Sequence, residues 1–223
     1  MERIGHRGAK REFPENTIPA FKRAFERGAD AVELDVHATA DGVLVVHHDA
    51  TLSKSSRGLA GRAIAEVEWP ALAASAESAA TRIPTLADVF GIVPAGGTVY
   101  VEVKGTSIEP LVARAVSDTR VPCAVHSFDH ASIARLKALA PRVARGILFD
   151  RAGTDVEAAL RSTGARDVWP EWTLIDRALV ERAHAAGARV IAWTVNDAAA
   201  AARLASMGVD GVCTDDVRLL DGM

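Results

Sequence analysis

Cysteine is almost absent from this sequence. Cys123 and Cys213 are the only two in 223 residues, and both sit in apolar strand-like runs, PCAVHSF and GVCTD. That placement predicts small core residues rather than a disulfide or a metal pair. There is no surplus of charge either. Lys and Arg total 26 against 29 Asp and Glu, a formal net charge of -3, and the basic residues are scattered. Without a basic stripe, nucleic acid is not an expected partner. The opening MERIGHRG has no apolar leader, and no hydrophobic run is long enough to span a membrane. A soluble, cytoplasmic protein of a reducing compartment is expected. The first strand-like run also lacks a Gly-rich turn behind it. Gly8 alone does not make the phosphate loop of an open, doubly wound nucleotide-binding sheet.

What is present is alternation. With 49% hydrophobic residues, the chain can bury one sizeable core, so a single domain over 1–223 is expected. Strand-like runs fall at 3–6, 31–37, 98–104, 122–128, 144–149, 167–169, 189–195 and 211–214, and almost every one precedes a helix-like run. Such alternation predicts a parallel sheet. Eight units, in a chain a little shorter than the ~250 residues typical of the fold, predict an α/β protein of the (β/α)8 TIM-barrel type. Two features interrupt the pattern. One is a β-hairpin extension after the second strand. The other is an irregular Ser-, Ala- and Gly-rich insertion over about 50–83, with one helical piece near 63–74.

The hairpin is the most informative stretch. Ala31 to Asp49, AVELDVHATADGVLVVHHD, reads as strand, turn and returning strand. Val32, Leu34 and Val36 alternate with Glu33, Asp35 and His37, giving one apolar face and one acidic face. An acidic face needs water, a cation or a partner. Asp41-Gly42 marks the turn. A two-residue turn sets His48 opposite Asp35, and a three-residue turn moves it by one. Either returns His48 beside the acidic pair. His37 is expected out on the hairpin in solvent, and His47, of opposite parity to His48, in a structural place.

In a TIM barrel the site lies at the C-terminal mouth. The predicted strand ends carry His6, Glu33 with Asp35, Glu102 with Lys104, His126 with Ser127, Trp169, Trp193 and Asp215. Parity points Glu102 the same way as Glu33 and Asp35. Three converging carboxylates repel and raise one another's pKa values. One divalent cation resolves the conflict, and an all-oxygen set favours Mg, Ca or Mn. Arg7 offers a planar fork matched to phosphate and Lys104 a point charge. His6 and His48 add two groups suited to moving protons. These are the requirements for cutting a phosphate ester: charge builds on the non-bridging oxygens, one proton leaves the nucleophile, and one reaches the leaving oxygen. Each piece alone has a structural reading: a strand edge for Glu33-x-Asp35, an ion pair for Glu102-x-Lys104, a hydrogen-bonded core histidine for His6. Their coincidence on one rim argues for function. His126 stays open between core and substrate contact. His130 and His184 fall on helices and read as surface. Trp169 and Trp172 read as core, and Trp193 as core or pocket wall.

At these residues the sequence resembles the glycerophosphodiester phosphodiesterase family. The matching runs are His6-Arg7-Gly8, Pro14-Glu15-Asn16-Thr17, Glu33-Leu34-Asp35-Val36, Asp41-Gly42, His48-Asp49, Pro84-Thr85-Leu86, Glu102-Val103-Lys104, Ser127-Phe128, Trp193-Thr194-Val195-Asn196 and Asp210-Gly211. They follow the family's order over nearly the whole chain. The resemblance implies a TIM barrel that hydrolyses glycerophosphodiesters to sn-glycerol 3-phosphate and an alcohol with one divalent cation, usually Mg or Ca. It implies Glu33, Asp35 and Glu102 as metal ligands and His6 and His48 as the acid–base pair. Arg7 and Lys104 would hold the phosphoryl oxygens and Trp193 would contact substrate. Glu15 and Asn16 would orient Arg7 and the metal shell, and the insertion would cover the mouth. Lys54-Ser55-Ser56 stands where the family commonly has Arg-Thr-Thr, so the alcohol preference does not carry over.

Three rival readings share some of these residues. A lysophospholipase D or phospholipase C-like reaction would need an apolar groove, for which the short insertion offers little. A non-catalytic phosphodiester-binding barrel would be expected to have lost a key residue. An unrelated metal-dependent barrel would have no use for the Arg7/Lys104 pair. Oligomeric state is not readable.

Overall fold

Eight parallel strands close into a ring in the computed structural model, which describes residues 1–54, 56–76, 78 and 81–222. Ser55, in the Lys54-Ser55-Ser56 run, lies outside the described residues. In chain order the first half comprises β1 (Glu2–His6), α1 (Ile18–Glu26), β2 (Ala31–Ala38), β3 (Leu44–Val46), α2 (Trp69–Ala74), α3 (Leu86–Phe90), β4 (Thr98–Val103), α4 (Glu109–Asp118) and β5 (Cys123–Ser127). The second half comprises α5 (His130–Leu139), β6 (Ala144–Phe149), α6 (Val156–Thr163), β7 (Asp167–Pro170), α7 (Arg177–Ala185), β8 (Arg189–Ala192), α8 (Ala198–Met207) and β9 (Gly211–Thr214). The ring runs β1-β2-β4-β5-β6-β7-β8-β9 and returns to β1, while β3 pairs antiparallel with β2 outside it. The TIM barrel with a hairpin extension is thus the architecture found.

Parallel strands sheathed by helices are buried on both faces, which is why they read as near-continuous apolar runs. Their outer faces pack under the helices in two clusters, one around Phe21, Leu34, Val101 and Ile133, the other around Ile147, Val180, Val190 and Leu204. The barrel interior is filled by Ile4, Tyr100, Leu148, Trp169, Ile191 and Cys213. Gly146 makes room there, since a Cβ at that position would lie 2.9 Å from the Trp169 ring. Below this plug, the Tyr100 hydroxyl donates to Glu2 at 2.8 Å and Arg189 bonds the same carboxylate, closing the N-terminal end with a polar network. At the other end, Asp129, Asp155, Asp176 and Asp197 cap α5, α6, α7 and α8 through backbone amides. These caps fix the chain as it leaves the mouth.

The hairpin takes the three-residue option. Thr39 N donates to Val43 O at 3.0 Å, and Val36 faces Val46. His47 N then donates to Asp35 O at 3.0 Å, and His48 falls one residue further along. Two expectations are corrected here. His37 is not in solvent: it is 7% exposed, and its Nε2 donates to the His48 carbonyl at 3.1 Å. His130 is half-buried, its Nε2 donating to Leu148 O at 2.9 Å and so tying α5 to β6. One boundary also shifts: the strand read over 189–195 leaves the regular ladder after Ala192. Cys123 and Cys213 are free. The insertion has a small core of its own, in which Leu52, Ile64, Val67 and Leu72 pack on Val45.

Gly8 sits where β1 turns under α1. Its φ is +84°, and a Cβ there would lie 2.6 Å from the backbone carbon of Ala20. Gly8→Ala should therefore cost about 1–3 kcal/mol in urea unfolding. Gly61→Ala should cost clearly less, because Gly61 has a similar φ but nothing within 4 Å of a new Cβ. Equal midpoints for the two variants would show that the close approach of β1 and α1 does not constrain the fold.

Candidate active site

Every expected site residue reaches the C-terminal mouth, and register explains why. His6 pairs with Glu33 across β1–β2, Asp35 with Glu102 across β2–β4, and Glu102 with His126 across β4–β5. Residues of one parity therefore share the interior face, His6 with Glu33 on one register and Asp35 with Glu102 and His126 two residues further along β2. The cavity they enclose is about 230 Å3 and is lined by His6, Arg7, Glu33, His48, Glu102 and Lys104 among others. Asp35, the next inward residue of β2 after Glu33, is fully buried and does not line it.

Arg7 adopts a left-handed backbone with φ of 55° immediately before Gly8. This turn aims its backbone N–H at Glu33, 3.2 Å from Oε2. Its guanidinium meets Glu15 through Nη1 at 2.9 Å and Asp35 through Nε at 3.1 Å. Asn16, also left-handed with φ of 57°, donates its amide to Asp35 Oδ2 at 2.9 Å. Lys104 lies 2.8 Å from Glu102 and 3.5 Å from Asp35.

The two histidines are held alike from opposite ends of the sequence. His6 Nδ1 lies 2.7 Å from Asp215 Oδ1, and His48 Nδ1 lies 2.8 Å from Asp49 Oδ1. Asp215 is kept below the usual carboxylate range: burial opposes this, but its bonds to His6 and Asn196 prevail. An ionised carboxylate only accepts, so Nδ1–H donates and Nε2 is left for chemistry. The rim position of Asp215 was visible in sequence. Its partnership with His6 was not, because only closure of the barrel brings β9 beside β1.

Charge at the mouth is unbalanced. Burial, reinforced by Asp35, pushes the Glu33 carboxyl up to about 7. Burial likewise raises Glu102 to about 7, although Lys104 opposes it. Asp35 goes the other way: burial works against ionisation, but Arg7, Lys104 and the Asn16 amide hold it below the ordinary range. Its Oδ1 is buried without a hydrogen bond. Among the described residues, donor atoms of Glu33, Glu102 and His126 lie within 4.8 Å of one another. Two raised carboxyls and clustered donors from Glu33, Glu102 and His126 are what a divalent cation would satisfy, so the residues present fit one, with Asp35 paired to Arg7 and Lys104 beside them.

Trp193 crosses the cavity. Its Nε1 donates to Trp169 O at 2.8 Å, and its ring meets Phe128 edge-on at 5.4 Å. His126, left open in the sequence, lines the floor with Trp169, Leu148 and Cys213. His47 lines a separate cavity of about 190 Å3 behind the hairpin, and His184 pairs with Asp210 at the surface. None of the described residues between 50 and 83 lines the site cavity, while Ser53, Ser56, Leu72 and Ser75 line the His47 cavity together with Glu15 and Asn16.

The chain matches the model of the "Glycerophosphoryl diester phosphodiesterase family" over residues 6–219. It is 33% identical to a glycerophosphodiester phosphodiesterase of Caldanaerobacter subterraneus, covering 97% of this chain and 95% of that protein. It superposes with a TM-score of 0.87 on an Oleispira antarctica phosphodiesterase solved with sn-glycerol-3-phosphate, at 25% identity and covering 99% of this chain and 95% of that one. A glycerophosphodiester phosphodiesterase from Agrobacterium tumefaciens superposes with a TM-score of 0.83 at 26% identity, with both chains covered in full at 100%. With barrel, mouth and motif order in agreement, this chain belongs to the glycerophosphoryl diester phosphodiesterase family.

Proposed function

We propose that this protein hydrolyses glycerophosphodiesters to sn-glycerol 3-phosphate and an alcohol, using one divalent cation held by Glu33, Asp35 and Glu102 and proton transfer by His6 and His48. Mg or Ca is the first choice from the resemblance, with Mn also suited to an oxygen set. The observation that carries the reading is one cavity walled by buried carboxylates, two cations and two carboxylate-anchored histidines. At about 230 Å3 it falls below the ~300–1,000 Å3 of sites for drug-sized ligands, which favours a glycerophosphoryl group over a lipid acyl chain. The contributing residues lie on or just after strands of one ring, except His48, which follows β3 on the flank of β2; this supports reading residues 1–223 as one unit. Two free thiols and, among the described residues, the lack of a helix long and apolar enough to cross a membrane support a reducing, cytoplasmic setting.

When bound, the cation would polarise a phosphoryl oxygen and offset the charge that builds there. Arg7 and Lys104 grip the other oxygens, Arg7 through Nη2, since Nη1 and Nε already meet Glu15 and Asp35. One imidazole Nε2 takes a proton from the nucleophile, either the glycerol 2-hydroxyl or water, and the other protonates the leaving oxygen. We favour His48 as the donor. Its side chain is 36% exposed against 13% for His6, which puts it nearer the exit of the alcohol. Trp193 and Phe128 wall the organic part of the substrate.

Release of glycerol 3-phosphate from glycerophosphocholine should stop with chelator and return with Mg2+, Ca2+ or Mn2+. Release indifferent to chelator would sink the metal-dependent reading. His6→Ala and His48→Ala should each lower kcat by about 10²–10⁴ with melting temperatures within a few degrees of the parent. Near-parental turnover in either would remove that residue from the mechanism.

A pH dependence follows from the two raised carboxyls. Glu33 and Glu102 sit near 7 in the cation-free fold against an ordinary 4.5. Between those values the folded state keeps protons that the unfolded chain has released, so this contribution to stability falls as pH rises from about 4.5 to 7 and stays low above. The cation replaces those protons. Thermal shifts on adding Mg2+ or Ca2+ should therefore be larger at pH 8 than at pH 6, and Glu33→Gln should flatten the difference. A shift equal at both pH values, or larger at pH 6, would contradict the assignment of the carboxylates.

A further inference from the structure

His126 has no task in the reading above, yet its placement is unusual. It is 1% exposed, and among the described residues neither ring nitrogen has a hydrogen-bond partner. A buried imidazole ordinarily finds at least one. The ring is nevertheless firmly set. It stacks on Tyr100 with the planes 12° apart and packs against Trp169 at 4.4 Å between centroids. It stands beside Glu102 in the β4–β5 ladder, with Nε2 3.7 Å from Glu33 Oε1. That separation is too long for a hydrogen bond. It is close to the ~3.0–3.5 Å expected between two donors that each lie about 2.0–2.2 Å from one ion.

We propose that His126 Nε2 is a ligand of the cation site beside Glu33 and Glu102, and that this nitrogen raises the site's affinity for first-row transition ions relative to Mg2+ and Ca2+. The inference rests on the metal-dependent reading of the mouth and goes beyond its oxygen-only ligand set. Two features carry it. Donor atoms of Glu33, Glu102 and His126 lie within 4.8 Å of one another, and an ion there would satisfy an imidazole nitrogen that nothing else in the fold satisfies. Aromatic packing takes the place of the hydrogen bond that usually orients a metal-bound imidazole through its other nitrogen. A nitrogen donor favours ions such as Co2+, Ni2+ and Zn2+, whereas Mg2+ and Ca2+ gain little from it.

The test uses the full chain loaded with Mn2+ and read by pulsed EPR. A directly bonded 14N coupling is expected in the parent, in His6→Gln and in His48→Gln, and its loss in His126→Gln or His126→Asn. By calorimetry, His126→Gln should weaken Co2+ binding at least about tenfold and Mg2+ binding less than about threefold. Bound Mn2+ without nitrogen coupling, or an unchanged Co2+/Mg2+ affinity ratio, would remove His126 while leaving the carboxylate site standing. No Mn2+ binding at all would overturn both readings. Should neither His126 variant fold, coupling that persists in a His6→Gln/His48→Gln double variant assigns the ligand to His126, and its loss there overturns the assignment.

Discussion

The carboxylate of Asp35 is fully buried, and its charge is held from three directions. Arg7 comes from the end of β1, Asn16 from the loop before α1, and Lys104 from the end of β4. An ion this deep is very costly unless paired and hydrogen-bonded. None of the three partners is near Asp35 until β1, β2 and β4 lie side by side. The fold and the site therefore depend on the same contact. Arg7 reaches its place only through a left-handed turn, and Gly8 behind it must lie against the backbone of α1. The placement of the Arg7 guanidinium is thus set by a backbone crossing at the very next residue.

The two imidazole–carboxylate pairs are chemically alike but structurally opposite. Asp49 follows His48 directly, in an exposed segment whose backbone is tied down by His37. Asp215 joins His6 across the seam that closes the barrel, and is itself held by Asn196 at 2.8 Å. One pair is local and open to solvent; the other is long-range and enclosed. Two similar groups can so take different parts in one reaction, because environment and not residue type separates them.

Much of this was legible from one-dimensional pattern. Strand–helix alternation gave eight strands, and period-2 parity placed Glu33, Asp35 and Glu102 on one face, since an inward-facing residue needs only its own strand to be assigned. The Asp-Gly turn located the hairpin and left its register open between two choices. What was hidden depended on closure or on layering. His37 looks solvent-facing because hairpin arms usually have a wet side, but here the chain after β3 folds back over it. The His6–Asp215 pair spans nearly the whole sequence. His126 carries no local signal, because a histidine in an apolar strand reads equally as core or as site. The apolar residues of the insertion form a small core of their own on β3, which its irregular Ser-, Ala- and Gly-rich sequence did not announce.

Beneath the carboxylates the barrel is filled by a largely apolar layer. Tyr100, Trp169, Leu148, Ile191 and Cys213 separate the charged mouth from the polar network of Glu2, Arg189 and Asp167 at the other end. That layer has an electrostatic consequence. Burial raises Glu33, and raises Glu102 even with Lys104 beside it, whereas at Asp35 Arg7, Lys104 and the Asn16 amide together outweigh burial. Water in the floor would weaken both effects by raising the local dielectric. Gly146 therefore bears on the electrostatics of the mouth although it touches no charge: its missing side chain lets Trp169 fill the axis, and the filled axis keeps Glu33 and Glu102 in an apolar setting.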